Sequence, residues 1–402
     1  MYNILSLDGG GSWAILQMQT LRDRYGNVAG HEILKKYDLV IANSGGSIVL
    51  AALAENWTLD EALSLFKDKD NRERIFSKNS FRDRFFPVDY LRLFGLGIGP
   101  KYSSTRKKNA FEGLFREVHK RQMSELPAFI GRESLKIVVC TYDALNNRAK
   151  FFKSYSSDPS DFDSVKLTQA IHGSSNAPVQ YFDFPARFKA RENEVFYELW
   201  DGALGGFNNP VLAGIIEAYK TGVPLGDIRI VSVGTGNKLM SIEDKKTFWR
   251  WKQIAIKNRR KKWNLNKLMP QAKFFKETVL NQAKTILYQP PDTANYIAMM
   301  FLSATTTKSV DDNFIRLSPL IHSDSNTPPE VIPLLYKLYA LDMDLAKDEE
   351  IHALLECFEK WKEGKIANQP IEFKIKRNND VVFIKGDKTY RTAMDKWKGW
   401  GV

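Results

Sequence analysis

The chain has 402 residues, enough for one large domain or two ordinary ones, and its 43% hydrophobic and 26% charged content is ordinary for a globular protein with a sizeable core. No stretch approaches the roughly 18 to 20 uninterrupted apolar residues of a membrane-spanning helix, and no basic then apolar leader opens the chain, so neither a span nor a secretory signal is expected. A formal charge of +12 points to an anionic partner, either nucleic acid or an anionic lipid surface.

The first apolar run, "NILSL", reads as a buried strand and leads directly into Asp8-Gly9-Gly10-Gly11. Consecutive glycines leave backbone N–H groups uncovered, as an oxyanion hole requires. A phosphate-binding loop is the alternative. The G-x-x-x-x-G-K-[ST] lysine and the G-x-G-x-x-G spacing are both absent, yet the triplet by itself leaves the two readings open. A second strand, "DLVIA", runs into Asn43-Ser44-Gly45-Gly46 and a helix-like apolar stretch. This is a G-x-S-x-G type elbow with Ala42 at the first glycine. Small residues are needed there because a strand reversing into a helix brings backbones close together. The amides and positive end of that helix would face charge forming at the serine. A plain strand-to-helix turn would have the same composition.

Helical patterns follow in "LDEALSLFKD" and "NAFEGLFREVHKR", with further strand-like runs in "LKIVVC" and "IRIVSVG". Strands alternating with helices argue a largely parallel α/β sheet. Cys140 and Cys357 are the only cysteines, lie far apart, and fit neither a disulfide framework nor a metal site, so a reducing cytoplasmic location is expected. Between the helical patterns, Ser80 to Tyr102 mixes aromatics with glycines and prolines, suiting either a lid or acyl-access wall or ordinary packing. Near the middle, "VFYELW" ends in Asp201-Gly202-Ala203, followed by Asn208-Asn209-Pro210. Asp201 is a candidate base, and a simple Asp-Gly turn is the alternative. The five histidines offer a second route to a base, since Ser44, Asp201 and His322 run in the order of an α/β-hydrolase triad. That elbow comes too early for such a fold, however, and His322 lies in an undistinguished polar loop.

The combination resembles the patatin-like phospholipase family. The D-G-G-G loop, the early serine elbow and the later D-G-A with N-N-P are joined by "LTQAIHGSSNAPVQYF" (Leu167 to Phe182) and "VSVGTGN" (Val231 to Asn237), all in the family's order. The resemblance covers roughly residues 1 to 365. It implies a three-layer α/β/α sandwich around a central, mostly parallel sheet. It also implies a Ser44–Asp201 dyad without histidine, with the Gly9, Gly10 and Gly11 amides as oxyanion hole and Gly46 and Gly202 supporting the elbow and dyad. An acyl-enzyme would form and be cleared by water, with no metal or other cofactor. Asp201 is expected to be desolvated, because an unperturbed carboxylate with a pKa of about 3.9 is a poor base for a serine hydroxyl. The sequence departs from the family where Trp13 replaces a basic residue, Ala14 and Ala42 replace glycines and Ser47 replaces a trailing glycine. Trp13 could line an acyl pocket or pack in the core.

Lys245 to Lys276 holds many lysines, arginines and aromatics and no acidic residue. It suits an anionic membrane surface, a solvated basic helix, or single-stranded nucleic acid, though no nucleic-acid motif accompanies it. The expected organisation is a patatin-like domain over 1–368 and a short appendix over 369–402, with a hairpin around Asn378-Asn379-Asp380. The expected activity is cleavage of fatty-acyl esters of phospholipids or lysophospholipids by a cytoplasmic, peripherally membrane-bound enzyme, with an activating ligand or protein allowed for. A silent lipid-binding protein and a nucleotide- or nucleic-acid-binding protein are the rival readings.

Overall fold

Short apolar runs alternate their side chains between two faces, and this pattern builds the sheet in a computed structural model that describes residues 1–75, 100–156, 165–178, 181–190, 196–238, 292–303, 313–323, 327–369, 375–377, 380–382 and 386–402. The strands in chain order are β1 (Tyr2–Leu7), β2 (Leu39–Asn43), β3 (Lys136–Asp143), β4 (Arg148–Lys153), β5 (Ala186–Lys189), β6 (Phe196–Asp201), β7 (Ile228–Val233), β8 (Asn237–Lys238), β9 (Phe314–Leu317), β10 (Leu320–Ile321), β11 (Ile375–Arg377) and β12 (Asp380–Val382). The central sheet runs β5-β6-β3-β2-β1-β7-β9, with β4 on the other side of β3. From β3 to β9 every pairing is parallel, whereas β4, β5 and β6 join antiparallel.

Leu5, Val40, Val139, Val231 and Ile315 point into one apolar cluster, and their neighbours Ile4, Ile41, Val138, Ile230 and Phe314 into the other. Such burial on both faces is what continuous apolar runs in a parallel sheet imply. The helices Ile15–Tyr25, Ser44–Ala54, Asp348–Lys362 and Tyr390–Gly399 supply the first cluster, while Val211–Lys220 and Asp292–Ser303 cover the second. The result is the expected α/β/α sandwich with a mostly parallel sheet. No helix among the described residues is long and apolar enough to cross a membrane.

Towards the C-terminus, β11 and β12 pair antiparallel with Arg377 opposite Asp380. The last helix belongs to the main core: Trp397 is fully buried and its indole N–H donates to the Tyr37 hydroxyl at 3.2 Å. Residues 239–291, which include the basic stretch Lys245 to Lys276, lie outside the described residues, as do residues 80–99 of the aromatic stretch.

One buried ion pair ties the edge of the sheet to the loop after β1. The Arg316 guanidinium on β9 lies 2.7 Å from Asp8, with both side chains almost wholly buried, and also donates to Ser232 Oγ at 2.7 Å. Burial pushes the Asp8 carboxyl up to about 6 against the pull of Arg316. Removing one partner of such a pair strands a buried charge. Arg316→Met should therefore cost about 3–5 kcal/mol in urea unfolding at pH 7. Adding Asp8→Asn should recover part of that loss, because it removes the stranded charge; a double variant no more stable than Arg316→Met would show that packing, not charge, dominates.

Candidate active site

Two strands approach β3 along one edge from opposite directions. β2 runs parallel to it and ends with Asn43 opposite Cys140, while β6 runs antiparallel and ends with Asp201 opposite Thr141. The far edge of β3 is filled over the same residues by β4, where Lys150 pairs with Thr141. The carboxyl ends of β2 and β6 must therefore meet head to head. Ser44 follows one end and Asp201 closes the other, although they are distant in the chain.

Ser44 starts the helix Ser44–Ala54 with φ of 48°, a left-handed conformation that costs a non-glycine residue about 1–3 kcal/mol. Its surroundings hold it there. The Ser44 amide donates to Ser174 Oγ at 2.8 Å, and Ser47 Oγ donates to the Ser44 carbonyl at 2.6 Å. A methyl on Gly46 would lie 2.5 Å from the Leu7 carbonyl oxygen, and the Gly46 amide donates to the Asp8 carbonyl at 3.1 Å. Glycine there lets the helix abut the loop after β1. The two departures from the elbow pattern fit: the Ala42 methyl is fully buried in the core, and Ser47 is buried with its hydroxyl bonded.

Asp201 is 2% exposed. Its carboxylate accepts from Asn43 Nδ2 at 3.1 Å and from the Ala203 amide at 2.9 Å, and the Ser44 hydroxyl is also within hydrogen-bonding reach of it. Burial raises its pKa above the ordinary carboxylate value, with these bonds and the charge of Lys107 pulling the other way. The expected desolvation is thus present. A methyl on Gly202 would sit 2.3 Å from Asn43 Oδ1, so that glycine makes room for the carboxamide that steadies Asp201. Neither Ser44 nor Asp201 bonds to a histidine among the described residues.

The glycine loop needs one correction. The Gly9 amide donates to the Asn208 carbonyl at 2.7 Å, so it is spent within the fold and is no free oxyanion donor. What Gly9 contributes is closeness, since a side chain there would collide with Asn208, Asn43 and Ser44. Gly10, at φ of 154°, passes so near Thr235 that a methyl would lie 2.2 Å from its hydroxyl, which itself donates to the Gly9 carbonyl at 2.6 Å. Gly11 lies beside Ser44 in the wall of one pocket. Trp13 is buried in the core, its indole donating to the Asp342 carbonyl at 2.9 Å, and it is not part of that wall.

Sequence reasoning passed over three neighbours. Asn43 links Asp201 to Ser174, whose hydroxyl donates to Asn43 Oδ1 at 3.3 Å. Lys107 reaches the pocket from the helix Ser104–Leu114. Asn43 and Ser174 could have been suspected from position, since one precedes the nucleophile and the other lies in "LTQAIHGSSNAPVQYF". That segment, given no role from sequence, supplies Ser175, Ala177, Tyr181 and Phe182 to the pocket wall. Lys107 carries no such signal. Among the described residues no three His, Cys, Asp or Glu side chains converge on a metal-sized site.

A family model described as Patatin-like phospholipase matches residues 5–215, just over half of the chain. The Bacillus subtilis (strain 168) protein CotR, named as a sporulation hydrolase, is 24% identical over 343 residues, covering 84% of this chain and 93% of that one. An Escherichia coli protein named cUMP-AMP-activated phospholipase is 24% identical over 246 residues, covering 58% of this chain and 64% of that one. The crystal structure of VipD from Legionella pneumophila overlaps 89% of this chain and 67% of its own at 12% identity, with a TM-score of 0.35.

The elbow geometry is open to a stability test. Gly46→Ala should destabilise the protein by about 1–3 kcal/mol through overpacking. Gly113→Ala, in the helix Ser104–Leu114 with nothing within 4 Å of the added methyl, should be neutral or stabilising by up to about 1 kcal/mol. Equal effects in urea unfolding would deny the tight contact at Gly46.

Proposed function

The chain belongs to the patatin-like phospholipase family, and on that premise we propose that it cleaves fatty-acyl esters of phospholipids or lysophospholipids with a Ser44–Asp201 dyad. Membership itself makes the protein a hydrolase of phospholipase or esterase type with a lipid substrate. The observation that carries the finer reading is the meeting of β2 and β6 on β3, which brings a strained serine against a buried carboxylate.

The chemistry follows from that pairing. Asp201 takes the Ser44 proton as Oγ bonds to the ester carbonyl carbon, and the carbonyl oxygen gathers negative charge. The Gly10 and Gly11 amides are the donors proposed for that charge, since Gly9 is already committed. The proton then passes from Asp201 to the departing alkoxide as the ester bond breaks, leaving an acyl-Ser44. Asp201 next deprotonates a water that attacks the acyl carbon, and the fatty acid leaves as Ser44 regains its proton. A desolvated carboxylate is a stronger base than an exposed one, which is what this scheme needs. The wall of Ile48, Ala177, Tyr181, Phe182 and Met343 gives the pocket beside Ser44 an apolar lining.

The reading extends to the protein's setting. The +12 charge and the stretch Lys245 to Lys276 fit docking on an anionic membrane surface from the cytoplasmic side. A relative named for activation by cUMP-AMP makes a nucleotide activator a reasonable partner for this chain too.

The test is fatty-acid release from mixed anionic phospholipid vesicles, with and without cUMP-AMP. Ser44→Ala and Asp201→Ala should each lower the rate at least about a thousandfold while vesicle binding persists. Activity surviving Ser44→Ala would reduce the elbow to a structural turn. The pH profile offers a separate check. Asp201 must be ionised to act, and burial raises its pKa, so kcat/KM should fall as pH drops through a value above the ordinary carboxylate range. An acid limb at the usual carboxylate value, or one unmoved by Asp201→Asn, would remove Asp201 from the mechanism.

A further inference from the structure

Lys107 is a buried amine with no carboxylate partner among the described residues. It is 1% exposed, and its Nζ donates to the His172 carbonyl at 3.2 Å and to Ser175 Oγ at 3.3 Å while lying 3.9 Å above the Phe182 ring centre. All of these partners are neutral, and no carboxylate among the described residues lies within ion-pair distance of Nζ. The acids nearest in influence are already engaged. Asp201 is held by Asn43 and the Ala203 amide, and Asp183 accepts from the Ser104 amide at 2.8 Å. Asp344, on the pocket wall, is paired with Lys101 at 2.9 Å and with the Tyr102 hydroxyl. Burial lowers the Lys107 pKa well below its usual range, so the ammonium is held only where an opposite charge comes beside it.

Ser175 and Phe182, which bracket the ammonium, line the same pocket as Ser44 and Gly11. An unpaired buried charge is expensive to keep, and when it borders a nucleophile it marks a place where a ligand's opposite charge can enter. The carbonyl it caps lies in the last turn of the helix Leu167–Ser174, and that cap answers only part of its charge.

We propose that Lys107 is an anion-recognition residue of the Ser44 pocket and takes a phosphoryl oxygen of the lipid whose ester is cleaved. This rests on the lipid-hydrolase reading above and adds what selects a phospholipid over a neutral acylglycerol. The ammonium pairs with the phosphate, the apolar wall receives the acyl chain, and the ester lies between them at Ser44.

The test measures binding, so that it does not depend on turnover. Ser44→Ala protein is titrated calorimetrically with a soluble short-chain diether phosphoglycerol, with the matching diether glycerol lacking phosphate, and with inorganic phosphate. The phosphate-bearing ether should bind at least tenfold more tightly than the neutral ether. Adding Lys107→Met should reduce that preference at least tenfold. Adding Ser175→Ala, a milder change that removes one Nζ partner, should reduce it two- to fivefold in a protein whose unfolding midpoint is little altered. A preference unchanged in both variants, or equal losses for the two ethers, would leave Lys107 as a helix cap and overturn the proposal. Lys107-dependent binding of inorganic phosphate without the phospholipid ether would overturn the lipid source. Failure to bind either ether would count against both this proposal and the lipid reading. Wild-type fatty-acid release that depends on Ser44 but keeps its preference in Lys107→Met would sink Lys107 alone.

Discussion

Everything at the active end of this molecule depends on the edge of β3 that carries β2 as far as Cys140 and β6 from Thr141 onward. A strand can hold only one partner per edge at each residue, and β4 already occupies the other side. The two partners therefore abut, and the residues at their carboxyl ends are pressed together. Asn43 and Asp201, 158 residues apart in the chain, share a hydrogen bond because of this register. A slip by one residue would turn every side chain of the strand to the opposite face and dissolve the pair. Glycines at 46 and 202 follow as consequences, because backbone and carboxamide groups occupy the space a side chain would need.

Around that junction the fold keeps Asp8, Asp201 and Lys107 out of water, each stabilised differently. Asp8 has an ion pair with Arg316 through one carboxylate oxygen, which anchors the start of the glycine loop to the edge strand β9. Asp201 has hydrogen bonds without a salt bridge and so remains a raised-pKa carboxylate beside Ser44. Among the described residues Lys107 has only neutral partners. The three form a graded series from structural to reactive. The ion-paired charge costs least to keep and does least chemistry, while Asp201 lies beside Ser44 and Lys107 lines its pocket, where charge in a ligand or transition state can compensate them.

Strands β2 and β3 were legible from the sequence, since "DLVIA" and "LKIVVC" are continuous apolar runs and both faces of the parallel sheet are buried. The elbow was legible too, because backbone crowding tolerates only small residues beside Ser44. What could not be read was the use of individual backbone groups. Nothing in Asp8-Gly9-Gly10-Gly11 distinguishes the Gly9 amide, which binds the Asn208 carbonyl, from the amides of Gly10 and Gly11. Lys107 was equally hidden, being one cation among 59 lysines and arginines until the helix Ser104–Leu114 carries it under Phe182.

By itself, then, the sequence determined the strands β1, β2, β3, β6 and β7 and which short turns can be crowded, because periodicity and the absence of a Cβ are local properties. Tertiary structure alone decided that Trp13 packs in the core, that Arg316 from β9 answers Asp8, and that Asn43, Ser174 and Lys107 join Ser44 and Asp201. Those facts depend on strand register and on which charges lose their water together. Both arise only when distant segments are packed against one another.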